Sequence, residues 1–413
     1  MMSRWLIIAD DLTGAADCAI AFAKRGVESV VAWDQHRYAG DMPVLSVDAA
    51  TRSLSPVQAA NRQVQVLAAH YRPGLHLYKK IDSTVRGQPV AELVGILAYA
   101  PAMFEARPRL AIVAPAFPGT GRVTLNGSIV VQGVPLEQTP LWARDHTYAS
   151  ANLVEMLGGA GLKAEVLTLQ AIAQGAEMVS AYLDDARKRG VAAIVCDAKT
   201  ESDLGVVAVA SLSMCDEVIW VGSAGLASAL AIAESSSELP AQISPLMSGR
   251  KNVLVVVGSL AEASRLQAST LVETGLVRHV TISPDALFAG PCTPAWQMGS
   301  KQLARHLGAQ EDVLLELERT ANPDLSRGTL LSQRLAEFVD DAGSFGALIA
   351  TGGDTVYALL SKLGVHSIRL LDEVEPGVPL GLTVGTLSIP VVTKAGAFGD
   401  AHSLQRSLER LHR

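Results

Sequence analysis

Several features are scarce in this sequence, and each scarcity excludes a class of protein. There are only four cysteines, Cys18, Cys196, Cys215 and Cys292, far apart and with no CxxC pair. That argues against a zinc ribbon and a disulfide scaffold, and it fits a reducing cytoplasm. Long apolar runs are missing. The run 5–9 ends at Asp10-Asp11, too short for the core of a signal peptide. The uncharged stretches 218–233 and 376–393 are broken by Gly with Ser, or by Pro and Thr, so no membrane span is expected. Basic residues form no long run and the net charge is −7, so nothing resembles an electrostatic footprint for nucleic acid. There is no G-x-x-x-x-G-K-[ST], no G-x-G-x-x-G after the first strand of either half, and no H-E-x-x-H. These absences argue against a P-loop protein, a standard dinucleotide fold and a zinc protease. Gly222-Ser223-Ala224-Gly225 misses the G-x-S-x-G spacing of a nucleophile elbow and reads as a helix-opening turn.

What is present is a globular composition, 49% hydrophobic and 18% charged over 413 residues, enough for two domains. The recurring unit is a short apolar run, a turn of small or polar residues, then a helical pattern, as in buried parallel βα units. It recurs at 5–14, 75–83, 110–119 and 218–225, and restarts at 253–259, 347–354 and 389–400. Between the two series, 235–250 carries two prolines and several serines without a clean period, as an interdomain linker would. The expectation is two α/β domains with mostly parallel sheets, over 1–238 and 251–413, joined by a linker at 239–250, with the active site in the cleft between them.

Ligands of open α/β sheets bind beyond the carboxyl ends of the strands, so polar residues just after a strand carry most weight. In the first half these are Asp10, Asp11, Lys79, Lys80, Asp82, Ser83 and Arg86, with Arg52 a short loop beyond 44–47. One Asp before a helix is explained by capping. Two exceed that need, so one is expected to face a ligand. For Lys79-Lys80 the plain alternative is a strand end with one side chain on each face. Two cations and a carboxylate within 79–82 suit a small molecule with an acid group and hydroxyls. In the second half the carriers are glycines. Thr351-Gly352-Gly353-Asp354-Thr355, Gly258-Ser259 and Lys394-Ala395-Gly396 each follow a strand. Such turns bring backbone N–H groups close to a phosphate. Lone histidines such as His146 and His279 read as structural.

Ile8-Ala9-Asp10-Asp11-Leu12-Thr13-Gly14-Ala15 and Tyr78-Lys79-Lys80-Ile81-Asp82-Ser83-Thr84-Val85-Arg86-Gly87 resemble the N-terminal signatures of the four-carbon acid sugar kinases. Pro115-Ala116-Phe117-Pro118, Gly121-Arg122 and Val221-Gly222-Ser223-Ala224-Gly225-Leu226 fit as well, as do the turns at 351–355 and 394–399. The resemblance runs nearly the full length, in the family's order. It implies an ATP-dependent kinase whose N-terminal domain takes a sugar acid and whose C-terminal domain takes ATP. By position, it implies that Asp10, Asp11, Arg52, Lys80, Ile81, Asp82 and Ser83 contact the acid. Ser259, Thr351, Gly352, Gly353, Asp354, Thr355 and Gly396 would contact ATP. Asp82 and Asp11 are the candidates for the catalytic base, with Arg52 or Lys80 on the substrate carboxylate. Mg2+ is implied with ATP, Asp354 and Asp400 being candidate carboxylates without an assigned ligand set. The form of 78–83 is similar to the threonate-type members, so D-threonate is favoured over D-erythronate and 3-oxo-tetronate. Departures are Leu12 for Phe, Gln88-Pro89, and Ala395 and Ala397 for Ser and Gly. The expected partners are a small sugar acid and ATP, without nucleic acid or membrane. The sequence leaves a homo-oligomer open. A non-catalytic sugar-acid sensor is the rival class.

Overall fold

The computed structural model describes residues 4–33, 42–103, 110–145, 148–235, 252–259, 261–318, 327–396 and 398–413. The expected linker lies outside these residues, as do Ala397 and His146. The chain divides into two compact units, Met1–Pro240 and Ala241–Arg413.

The first unit carries β1 (Arg4–Ala9), β2 (Ser29–Trp33), β3 (Val44–Asp48), β4 (Leu75–Lys80), β5 (Leu110–Ala114), β6 (Arg122–Leu125), β7 (Ser128–Val131), β8 (Val134–Pro135), β9 (Ala164–Leu167), β10 (Ala193–Cys196) and β11 (Val218–Gly222). Its main sheet has the order β2-β3-β1-β4-β11-β5-β10-β9, with every pairing parallel. β5 and β11, and β1 after Arg4, are apolar and buried along their length, as expected when helices cover both faces. β1 lies between β3 and β4, so the chain runs out to one side of β1 and then crosses to the other. That reversal is a topological switch point, where strand ends open a crevice. Small residues let the first helix, Leu12–Ala23, lie close to the sheet: Gly14, Ala15, Ala16 and Ala19 are all buried. The strands β6, β7 and β8 form a separate antiparallel sheet, for which the sequence pattern gives no signal.

The second unit carries β12 (Val253–Val257), β13 (Arg278–Ile282), β14 (Val313–Leu317), β15 (Ala347–Thr351), β16 (Val365–Glu375), β17 (Val378–Gly385) and β18 (Pro390–Lys394). Its sheet has the order β13-β14-β12-β15-β18-β17-β16. The first five strands are parallel. β17 runs antiparallel to both β18 and β16, and the tight turn between β16 and β17 includes Gly377 at φ 80°. Among the described residues no helix is long and apolar enough to cross a membrane.

Candidate active site

The switch point gathers charge. Asp10 and Asp11 follow β1, Arg52 follows β3 by a short loop, and Lys80 ends β4. Arg52 bridges them: its Nε lies 2.8 Å from Asp10 Oδ2 and its Nη1 2.7 Å from Asp11 Oδ2. Lys80 Nζ approaches Asp10 Oδ1 at 3.3 Å and Asp11 Oδ1 at 3.4 Å. Asp11 also caps the first helix, accepting from the Gly14 N–H at 3.0 Å and from Thr13 Oγ1 at 2.8 Å. A Cβ at Gly14 would fall 1.9 Å from Lys80 Nζ and 2.5 Å from Asp11 Oδ1, so a side chain there would displace both charged groups. Beyond β4, Asp82 accepts from Arg86 Nη2 at 2.6 Å and Nε at 3.1 Å, and from the Thr84 N–H at 3.0 Å. Arg52 Nη2 stands 3.8 Å from the same carboxylate. Ser83 Oγ accepts from Arg122 Nη1 of β6 at 3.0 Å. Ile81 is buried in the apolar core and its N–H donates to the Gly222 carbonyl at 2.8 Å.

Ion pairing decides the charge states. Burial alone would push Asp10 up, but Arg52, Lys80 and Lys79 outweigh it and hold the carboxyl well below the ordinary range. Asp82 behaves alike, with burial overcome by Arg86 and Arg52. Burial pulls Lys80 down, and Asp10 and Asp11 more than restore it. Asp48, the last residue of β3, is the exception. Burial pushes its carboxyl up to about 7, reinforced by Asp11 and Asp10 and opposed by the Ala50 N–H and Arg52. Its Oδ1 accepts from that N–H at 2.7 Å.

The second unit gathers backbone instead. Gly258-Ser259 follows β12, Gly352 follows β15 and Ala395-Gly396 follows β18, and the three turns meet. A Cβ on Gly396 would lie 2.0 Å from Ser259 Oγ, one on Gly352 3.4 Å from Ser259 Cβ, and one on Gly258 2.3 Å from Thr355 Oγ1. Gly352 also needs its left-handed φ of 91° to turn into the helix Gly353–Lys362. At that helix start the N–H groups of Gly353, Asp354 and Thr355 have no intrahelical acceptor, which suits an anion. Asp354 is exposed, while Thr351 and Thr355 are buried. Asp400 is tied to Arg406 at 2.8 Å and accepts the His402 N–H at 2.9 Å. Among the described residues no three His, Cys, Asp or Glu side chains converge as a metal group.

Two family models match this chain: one described as a sugar-binding N-terminal domain over residues 5–230, the other as a nucleotide-binding C-terminal domain over 254–404. A D-threonate kinase of Cupriavidus necator is 38% identical over 410 residues, spanning 97% of this chain and 96% of that protein. The chain belongs to the four-carbon acid sugar kinase family. A D-erythronate kinase of Heliobacterium modesticaldum is 27% identical, spanning 97% of this chain and 95% of that protein. A solved structure from Salmonella typhimurium LT2 matches with a TM-score of 0.81 at 20% identity, covering 99% of both chains, a likeness of fold.

For this tetronate-kinase family member, the structure brings together Asp10, Asp11, Arg52, Lys80 and Asp82 in one unit, while Ser83, next to Asp82 in the chain, pairs with Arg122. In the other it brings together Ser259, Gly352 and Gly396. Reasoning from the sequence does not single out Asp48, which reads as one more apolar-strand terminus. The available signal is its position, since it ends a strand beside the one that leads to Asp10. Lys79 leaves the cluster for the other face of β4, as strand alternation allows.

Proposed function

We propose that the protein is an ATP-dependent kinase that phosphorylates the C4 hydroxyl of a four-carbon sugar acid, D-threonate before others, giving D-threonate 4-phosphate. One observation carries this reading. The carboxylates and cations of Asp10, Asp11, Arg52, Lys80 and Asp82 converge at adjacent strand ends, in a chain that matches a D-threonate kinase over 97% of its length. The first unit takes the acid and the second takes ATP. Asp82, held ionised by guanidinium groups, is suited to accept a hydrogen bond from a substrate hydroxyl and so to aim it. Asp11 is the more exposed of the two candidate bases, its side chain 17% accessible against 10% for Asp82. In this reading Asp11 takes the proton from the attacking hydroxyl, with Asp82 the other candidate base. The new O4–P bond forms as the bond between the γ-phosphorus and the β,γ-bridging oxygen breaks, and ADP leaves. Such transfer depends mainly on alignment and charge neutralisation.

The glycines at 258, 352 and 396 let the three strand-end turns close on Ser259 and Thr355, beside the N–H groups that open the helix Gly353–Lys362, which fits a triphosphate. Mg2+, arriving with the nucleotide and held mainly by phosphates and water, would offset phosphate charge. Asp354 is the better candidate carboxylate, since Asp400 is engaged by Arg406. None of the four cysteines is in a disulfide, which supports a cytoplasmic setting.

The test is ADP release from Mg-ATP across a panel of four-carbon sugar acids. Turnover is expected with D-threonate, and absence of turnover above the no-substrate blank on every acid overturns the reading. D-erythronate is the second substrate to examine, given the D-erythronate kinase relative. A sensor that had lost transfer would be stabilised thermally by the sugar acid and not by ATP.

A further inference from the structure

The two lysines that end β4 face opposite sides of the sheet, and Lys79 leads to a network behind the charged cluster. Lys79 Nζ lies 2.8 Å from Glu92 Oε2 of the helix Pro89–Met103 and donates to the Lys80 carbonyl at 2.7 Å. Glu92 Oε1 accepts from Thr51 Oγ1. Gln63, on the helix Pro56–His70, donates from Nε2 to Thr51 Oγ1 at 3.0 Å and reaches the Ala9 carbonyl at 3.5 Å. Lys79, Glu92, Thr51 and Gln63 are all fully buried. Thr51 directly precedes Arg52, and the N–H groups of both donate to the Asp10 carbonyl, at 3.1 and 3.2 Å. The network therefore touches the end of β1, the loop after β3 and the end of β4, the segments that carry Asp10, Arg52 and Lys80.

A buried ion pair is a poor route to stability, because well-packed apolar residues of similar volume serve as well or better. Apart from Gln63 Oε1, which has no hydrogen-bond partner among the described residues, the buried groups of this network are paired, and such pairing supplies one fixed geometry. Arg52 must hold two carboxylates while leaving space for a ligand, so the orientation of its loop matters. We propose that Lys79, Glu92, Thr51 and Gln63 form a positioning network that sets Arg52 and Lys80 for the sugar acid, with the Thr51 hydroxyl as the link to Arg52. None of the four touches substrate in this scheme. The proposal rests on the kinase reading above.

The experiment uses the full chain and steady-state kinetics with D-threonate and Mg-ATP. Thr51→Val keeps the shape and removes the hydroxyl, whereas Thr51→Ser keeps the hydroxyl. Lys79→Met with Glu92→Leu replaces the ion pair by apolar side chains. Thr51→Val is expected to lower kcat/KM for the acid about tenfold, the order expected when a buried hydroxyl loses its bonds to Glu92 and from Gln63. The KM for ATP should stay unchanged, and Thr51→Ser should restore the acid kinetics. The folded double variant should show the same selective loss. Wild-type acid kinetics in Thr51→Val overturn the proposal, as does an equal loss toward acid and ATP. Should the double variant fail to fold, the Val and Ser pair at Thr51 decides alone. If the unmodified protein turns over no four-carbon acid, the kinase reading fails and this proposal with it. A normal wild type beside a normal Thr51→Val defeats the network alone.

Discussion

The two units present different parts of the chain at their strand ends. At the strand ends of the first unit, side chains do the work: three carboxylates and three cations interlock at close range. At the strand ends of the second, side chains withdraw, and Gly258, Gly352 and Gly396 let backbone turns close on Ser259 and Thr355. A small hydroxy acid offers few atoms, each needing a directed partner. A triphosphate offers many equivalent oxygens, which a row of N–H groups can meet without individual aim. One layout of strand, turn and helix thus presents either chemistry, and the residues at the end of each strand choose between them.

The two units should separate most widely in their response to pH. Asp48 in the first unit has its folded pKa raised from 3.8 to about 7 by burial. Between those values the folded state binds more protons than the unfolded one, so this group's contribution is full below pH 3.8 and is lost as pH rises toward 7. The loss amounts to about 4 kcal/mol at most, from roughly 3 pH units at about 1.36 kcal/mol each. Asp48→Asn should flatten it in denaturant titrations, and an unchanged slope would remove Asp48 as the cause. Lys394 in the second unit runs the other way. Burial, opposed by Glu375, lowers its pKa from 10.5 to about 8, and among the described residues its Nζ has no hydrogen-bond partner. Its unfolded form binds the extra proton, so this contribution rises from about pH 8 to 10.5. Lys394→Met should raise stability at neutral pH, and hydrogen exchange would locate each effect in its own unit.

The next largest effect concerns activity. Asp82→Asn should cut turnover about 100-fold, the order seen when reacting groups lose alignment, while the protein stays folded by circular dichroism. Turnover within about twofold of the unmodified enzyme, well inside that range, would take Asp82 out of the site. A matched pair of smaller changes then tests the division of labour. Gly14→Ala forces a Cβ onto Lys80 Nζ, and Gly396→Ala forces one onto Ser259 Oγ. Overpacking of this kind costs about 1–3 kcal/mol of folding stability, and a displaced site side chain that costs about 1.4 kcal/mol of binding would lower affinity about tenfold. Gly14→Ala should raise the KM for the sugar acid alone, and Gly396→Ala the KM for ATP alone. The same response from both variants would dissolve the contrast.

Much of this was legible in the chain. Apolar runs followed by polar turns located β1, β4, β12, β15 and β18, because a buried parallel strand must be apolar and the residue after it must reach solvent or ligand. Asp10-Asp11 exceeded the needs of a cap, and the structure has Asp11 both capping and pairing with Arg52. The hairpins were less legible. β6, β7 and β16 are antiparallel partners whose half-buried or exposed residues give a weak apolar signal beside the buried runs. Arg86 gave no sign of its pairing with Asp82, since nothing in a Thr-Val-Arg-Gly string says where the guanidinium turns.

Local order in the amino acids determined which stretches become strands, where each turn opens, and that one half would offer charge and the other glycine, because those properties depend on neighbours a few residues away. Only the tertiary structure decided that β1 sits between β3 and β4, which sends Lys80 to Asp10 and Asp11 and Lys79 to Glu92, and which leaves Asp48 buried near neutrality. Strand pairing and burial join residues tens of positions apart, and electrostatic energies depend on those distances rather than on the spacing along the chain.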